Sequence, residues 1–168
     1  MQLININKAR YNRHLKIIFA ACAIGLAIGS LAISQLLIAF FPDVSGSHFH
    51  WNVLGVIVSA LVIAYSLNRY RAHDFMTEVV YVWRLKQALN KIHRKTPALQ
   101  AASLKGDTHA VLILHYSYAG SRLLWELDNN TLTMDELELK QAELDRLAEK
   151  YQCVPNVVDY KESLLRLF

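Results

Sequence analysis

The chain has 168 residues, 54% of them hydrophobic and 19% charged, with a mean hydropathy of +0.19. That is too apolar for a disordered chain and unusual for a soluble one. The formal net charge of +4 is too small a surplus to argue for nucleic acid, and the two distant cysteines, Cys22 and Cys153, make no disulfide framework.

Residues 1–16 form a basic N-terminal segment carrying Lys8, Arg10, Arg13 and Lys16. From Ile17 to Phe41 run 25 residues without a charge, with Gln35 as their only strongly polar side chain. At about 1.5 Å per residue a helix of that length exceeds a hydrocarbon core of about 30 Å, so residues 17–41 read as a first transmembrane helix. Residues 42–50 (PDVSGSHFH) combine Pro, Gly and Ser and read as a turn. The 17 residues 51–67 sit near the lower limit for a second span, and a membrane hairpin explains them more simply than a buried helix of a soluble protein. A cleaved signal peptide fits poorly, because the apolar stretch is too long and no small-residue cleavage site follows a stretch of normal length.

Basic residues orient the hairpin. They flank both spans, with Arg69, Arg71, Arg84 and Lys86 following the second, while the turn has Asp43 and no base. Both ends are therefore expected to face the cytoplasm, with Arg69, Arg71, Arg84 and Lys86 near anionic lipid headgroups. Gly25 and Gly29 form GxxxG, and Gly55 and Ser59 repeat the spacing in the second span. Small residues four apart let helix backbones approach in lipid, either within the hairpin, which we favour, or between two copies of the chain.

Residues 68–168 read as a cytoplasmic helical domain. Asp74 is positioned to cap a helix reaching about Lys95 and ended by Pro97, and Gly106 closes a short helix over residues 98–105. Asp107 caps an apolar central helix that Asn129 and Asn130 interrupt. Thr133 with Glu136 forms a capping box for a helix to about Tyr151. On that helix Leu137, Leu144 and Tyr151 recur every seven residues amid charge, which suggests a surface for a partner. Asp159 with Glu162 begins a last amphipathic turn. The fold class expected is all-α, a transmembrane helical hairpin followed by a small cytoplasmic helical bundle. Charge is split along this tail: residues 69–105 carry a surplus of six positive charges, residues 106–168 an excess of five negative. Closeness to anionic lipid accounts for the basic part without nucleic acid.

No phosphate-binding loop, dinucleotide-binding glycine triplet, HExxH or CxxC pair occurs, and no cofactor is implied. His48 and His50, with Asp43 nearby, are the weak candidates for a metal or pH-responsive site, but two ligands in a short loop need a third from elsewhere. On the central helix His115, Tyr118 and Arg122 share a face, with Glu126 one turn beyond Arg122; a satisfied structural network explains them better than a catalytic one.

The stretches SQLLIAFFP, GSHFHWNVLGV, FMTEVVYVWRLKQALNKIHRK and DNNTLTMDEL together resemble an uncharacterised family of small two-span bacterial inner-membrane proteins, a domain of unknown function. The resemblance implies a bacterial inner-membrane location and carries no activity with it. The expectation is a non-enzymatic, membrane-anchored interaction or scaffold module acting through its cytoplasmic helices on itself or on a cytoplasmic protein. Its rivals are a membrane metal- or pH-responsive protein or enzyme centred on His48 and His50, and a subunit of an oligomeric pore or transporter.

Overall fold

The computed structural model describes residues 2–42, 46–130 and 134–168, and every regular element among them is helical. Helices α1 (Lys8–Phe40) and α2 (Phe49–Tyr70) come first, then a 3-10 turn (Asp74–Met76) leading into α3 (Thr77–His93). After them come α4 (Thr96–Ser103), α5 (Thr108–Asp128) and α6 (Met134–Lys150), and two 3-10 turns, Val157–Asp159 and Glu162–Leu167. The chain divides into two compact units, residues 9–80 and a unit that joins the N-terminal residues through Lys8 to Tyr81–Phe168.

In the first unit both long helices overrun the apolar stretches that mark them. Nothing between Lys8 and Phe40 breaks a helix, so the basic segment folds as the first turns of α1 and only the residues before Lys8 stand outside it. At about 1.5 Å per residue α1 and α2, with 33 and 22 residues, are roughly 50 and 33 Å long. Both are long and apolar enough to cross a membrane.

The second unit is built around α5. Val111, Ile113, Leu114 and Tyr116 of α5 are fully buried with Leu85 and Ile92 of α3 and Leu99 of α4. Helices α4 and α6 and both closing 3-10 turns pack on α5, which explains why its sequence is apolar on more than one face. Gly120 lets α3 come close: a Cβ there would stand 3.0 Å from Leu89 Cδ2. At its start the Asp107 carboxylate accepts from the N–H groups of His109 (2.8 Å) and Ala110 (3.1 Å), and at its end Asn129 turns left-handed with φ 54°. Lys8 reinforces that end. Its ammonium donates to the Glu126 carbonyl and to Asn129 Oδ1 (2.6 Å), a positive charge where the helix dipole favours one.

Three local expectations change. The residue capping the Asp74 turn is His73, whose Nδ1 accepts from Phe75 N–H at 3.2 Å, and α3 begins only at Thr77. Pro97 opens α4 instead of ending α3, because its fixed φ and missing N–H suit a first turn. Asp159 does not cap the last turn: Glu162–Leu167 follows Lys161 with no side-chain cap, and Asp159 ends the preceding turn, which the Asn156 side chain caps by accepting from Val158 N–H. The expected Thr133 capping box lies outside the described residues.

Candidate functional site

The small residues of the two long apolar helices meet within the chain. A Cβ on Gly55 would fall 2.3 Å from Ser34 Oγ and 2.7 Å from the Ser30 carbonyl, and one on Gly29 would fall 3.0 Å from Ser59 Oγ. Gly25 is looser, with Ile63 Cδ1 at 3.8 Å. Ser34 Oγ donates to the Ser30 carbonyl (2.7 Å) and contacts the Trp51 carbonyl across the seam (3.4 Å). Ser30 and Ser34 were not singled out in the sequence, although they too are small residues four apart.

At the turn end His48 is half-buried and His50 is exposed, its ring 4.7 Å from that of Trp51. Trp51 also stacks on Phe41 at 5.7 Å, an aromatic cluster that gives His50 an apolar neighbour. Asp43 lies outside the described residues, and among those described no three His, Cys, Asp or Glu side chains come together as a metal site. At the other end of the hairpin Glu78 accepts from Arg10 Nε at 2.8 Å and lies 3.4 Å from His14 Nδ1, while His14 stacks on Phe75 at 4.0 Å. This cluster ties the start of α1 to the start of α3. Sequence reasoning passed over it because its members are more than sixty residues apart.

Arg69, Arg71 and Arg84 are exposed, whereas Lys86 is engaged with Asp128 at 3.1 Å. The heptad strip is not a partner surface. Leu137 and Leu144 are only 4% and 3% exposed, consumed by packing of α6 on α5. Tyr151 donates its hydroxyl to the Leu104 carbonyl at 2.8 Å and lies over Gly106, where φ is +85° and a Cβ would come 2.7 Å from the ring. Periodicity located the buried side of α6 and mistook its occupant: the chain's own core fills it.

The shared face of His115, Tyr118 and Arg122 does not converge on a reaction centre. Arg122 reaches Glu138 of α6 at 4.0 Å instead of Glu126, and Tyr118 lines a cleft of about 260 Å³ with Gln100, Glu136 and Lys140. Burial raises the Tyr118 hydroxyl above its ordinary value, with Gln100 and Lys140 opposing. His93, Ser117 and Ser121 border the same cleft, yet among the described residues no hydrogen bond joins this histidine to a serine. Deeper in, the Tyr116 and Tyr160 rings stack at 3.9 Å, and neither hydroxyl has a partner among the described residues. Burial is the main cause that raises both, Tyr160 to about 12, so near neutral pH both phenols are protonated and serve as packing groups, not bases.

Two apolar helices of membrane-spanning length followed by an all-helical unit define the class of architecture. Within it, the chain belongs to the family described as a protein of unknown function (DUF3087), whose model matches residues 1–165. No curated protein and no solved structure matches the chain.

Proposed function

We propose that this is a non-catalytic, membrane-anchored interaction module of the bacterial inner membrane, with both ends of the chain in the cytoplasm and the helical unit as its working part. The observation that carries the reading is the exposure of the hairpin's apolar flanks. Phe19 is 74% and Leu61 65% exposed, and only 6% and 11% of the most apolar stretches of α1 and α2 are buried within the chain. A core helix of a soluble protein would be covered, and hydrocarbon is the solvent that suits such flanks. The orientation draws support from two sources: the basic residues flanking the hairpin, and the union of the N-terminal residues through Lys8 with Tyr81–Phe168 in one folded unit. Two crossings return the chain to the side it left, as that unit requires.

The partner-binding surface follows from charge. With Leu137 and Leu144 buried, α6 presents exposed Asp135, Glu138, Glu143, Asp145 and Glu149, with Leu139 (69% exposed) among them. An apolar contact ringed by carboxylates suits a basic protein surface. Cross-linking with mass spectrometry in intact membranes tests this. We expect cross-links from α6 that the triple variant Glu138→Lys, Glu143→Lys, Asp145→Lys abolishes; a chain that is monomeric and partnerless, or that alkaline carbonate strips from vesicles, overturns the proposal. One observation favours a second reading, an oligomer of hairpins: the Gln35 amide is exposed on α1 amid apolar residues. An amide left in hydrocarbon gains from a partner in another copy.

A further inference from the structure

The end of α3, the turn that follows it and the closing turn Glu162–Leu167 border a cleft of about 440 Å³. Four bases line it, Lys91, Arg94, Lys95 and Arg166, against one acid, Glu162. Lys91 stands in the last turn of α3, Arg94 and Lys95 form the short turn between α3 and α4, and Arg166 arrives from 71 residues beyond Lys95. The fold gathers them.

Their charges are not equally available. Lys91 Nζ lies 2.5 Å from Glu162, and that contact holds the Glu162 carboxyl below the ordinary carboxylate range. Lys95 donates to the Leu165 carbonyl at 2.6 Å, which stitches the closing turn to the start of α4 and fixes an ammonium at the cleft wall. Arg94 and Arg166 have no carboxylate within ion-pair distance among the described residues; Arg166 acts on Glu162 only from farther away. After the Lys91–Glu162 pair is set aside, three positive charges converge on a concave wall. Such a wall concentrates potential and favours an anion. Two guanidinium forks match phosphate oxygens in bidentate fashion, the Ser163 hydroxyl adds a donor, and the volume falls in the range of small-molecule sites, about 300–1,000 Å³. A surplus of three charges suits a multiply charged phosphate better than a single carboxylate. Two other clefts among the described residues differ: Lys140 answers Glu136 at 2.6 Å beside Tyr118, and the hollow between α1 and α2 is lined by apolar side chains and Cys22.

We propose that this cleft binds a phosphate-bearing anion, gripped by Arg94 and Arg166, with Lys95 as a fixed countercharge and Glu162 as an internal competitor held by Lys91. The phosphate belongs either to a soluble molecule or to a lipid headgroup. The test is calorimetric titration of the full chain, in phosphatidylcholine nanodiscs, with inorganic pyrophosphate. We expect saturable one-to-one binding, weakened at least tenfold in R94A/R166A, strengthened in E162Q, and changed less than threefold in K105A, an exposed lysine outside the cleft. Replacing a tenth of the lipid by phosphatidic acid, with phosphatidylglycerol as the charge control, separates the sources. Selective loss of pyrophosphate binding with phosphatidic acid identifies a headgroup, and equal behaviour of the two lipids identifies a soluble ligand. Absence of saturable binding overturns the proposal. So does equal affinity in wild type, R94A/R166A and E162Q; the E162Q arm stands even where the double variant is unstable.

Discussion

Tyr116 and Tyr160 show what a buried hydroxyl without a partner does to a core. Each phenol loses water on folding and gains no hydrogen bond among the described residues, a cost of about 1–3 kcal/mol where a buried group goes unsatisfied. Tyr116→Phe is therefore expected to leave the fold intact and to raise its stability by about 1 kcal/mol, read as a higher urea midpoint at unchanged slope. The same burial sets an alkaline limit. A tyrosine ionises near 10 in the unfolded chain and near about 12 at position 160, so above pH 10 the unfolded state sheds a proton that the fold retains. The stabilisation is whole below pH 10 and declines as pH rises towards 12. Circular dichroism against pH should show unfolding in that interval, displaced to higher pH in Tyr160→Phe; an unmoved transition would contradict the assignment. None of this was visible in the sequence, because a stack between residues 44 positions apart leaves no local pattern.

Elements were far more legible than contacts. Hydropathy located both long apolar helices, and the Asp107, Gly106 and Asn129 punctuation located the ends of α4 and α5, because caps depend on neighbours in sequence. What failed was partner choice. Seven-residue spacing states that one side of α6 is apolar and is silent about what covers it, and a Pro after a helix resembles a Pro opening the next. Two predictions belong here. Asp107→Ala should cost about 1 kcal/mol by removing the acceptor for two N–H groups at the start of the central helix, with Asp107→Ser recovering most of it in denaturant titration. In the hairpin, Gly55→Val should lower stability by about 1–3 kcal/mol, since its side chain collides with Ser30 and Ser34, whereas Gly25→Ala should be within about 0.5 kcal/mol of wild type. Thermal unfolding in detergent micelles compares the two; equal effects would place the seam elsewhere.

For the molecule as a whole, sequence order conceals that the N-terminal residues belong to the C-terminal unit. Ile6 is buried, Ile4 N–H donates to the Tyr81 hydroxyl at 2.9 Å, and that hydroxyl donates to the Gln2 carbonyl at 3.1 Å. Hydrophobic patterning could not announce this, since one buried isoleucine in a seven-residue segment is no periodicity at all. Removing residues 2–6 should lower the unfolding temperature of the helical unit by several degrees while leaving membrane retention intact, the two readouts being separable by fractionation and circular dichroism. Fusion at Phe168 of a reporter active only in the cytoplasm should give signal, and the same reporter inserted at Gly46 should give none.

The Lys8 clasp also imposes a timetable on synthesis. Its receptors, the Glu126 carbonyl and the Asn129 side chain, emerge from the ribosome more than a hundred residues after the lysine itself. The newborn end must wait, unfastened, and it closes only once α5 has been made; in the proposed membrane module the hairpin enters the bilayer during that wait. Closure thus comes late, a latch that shuts only when the distal helices exist.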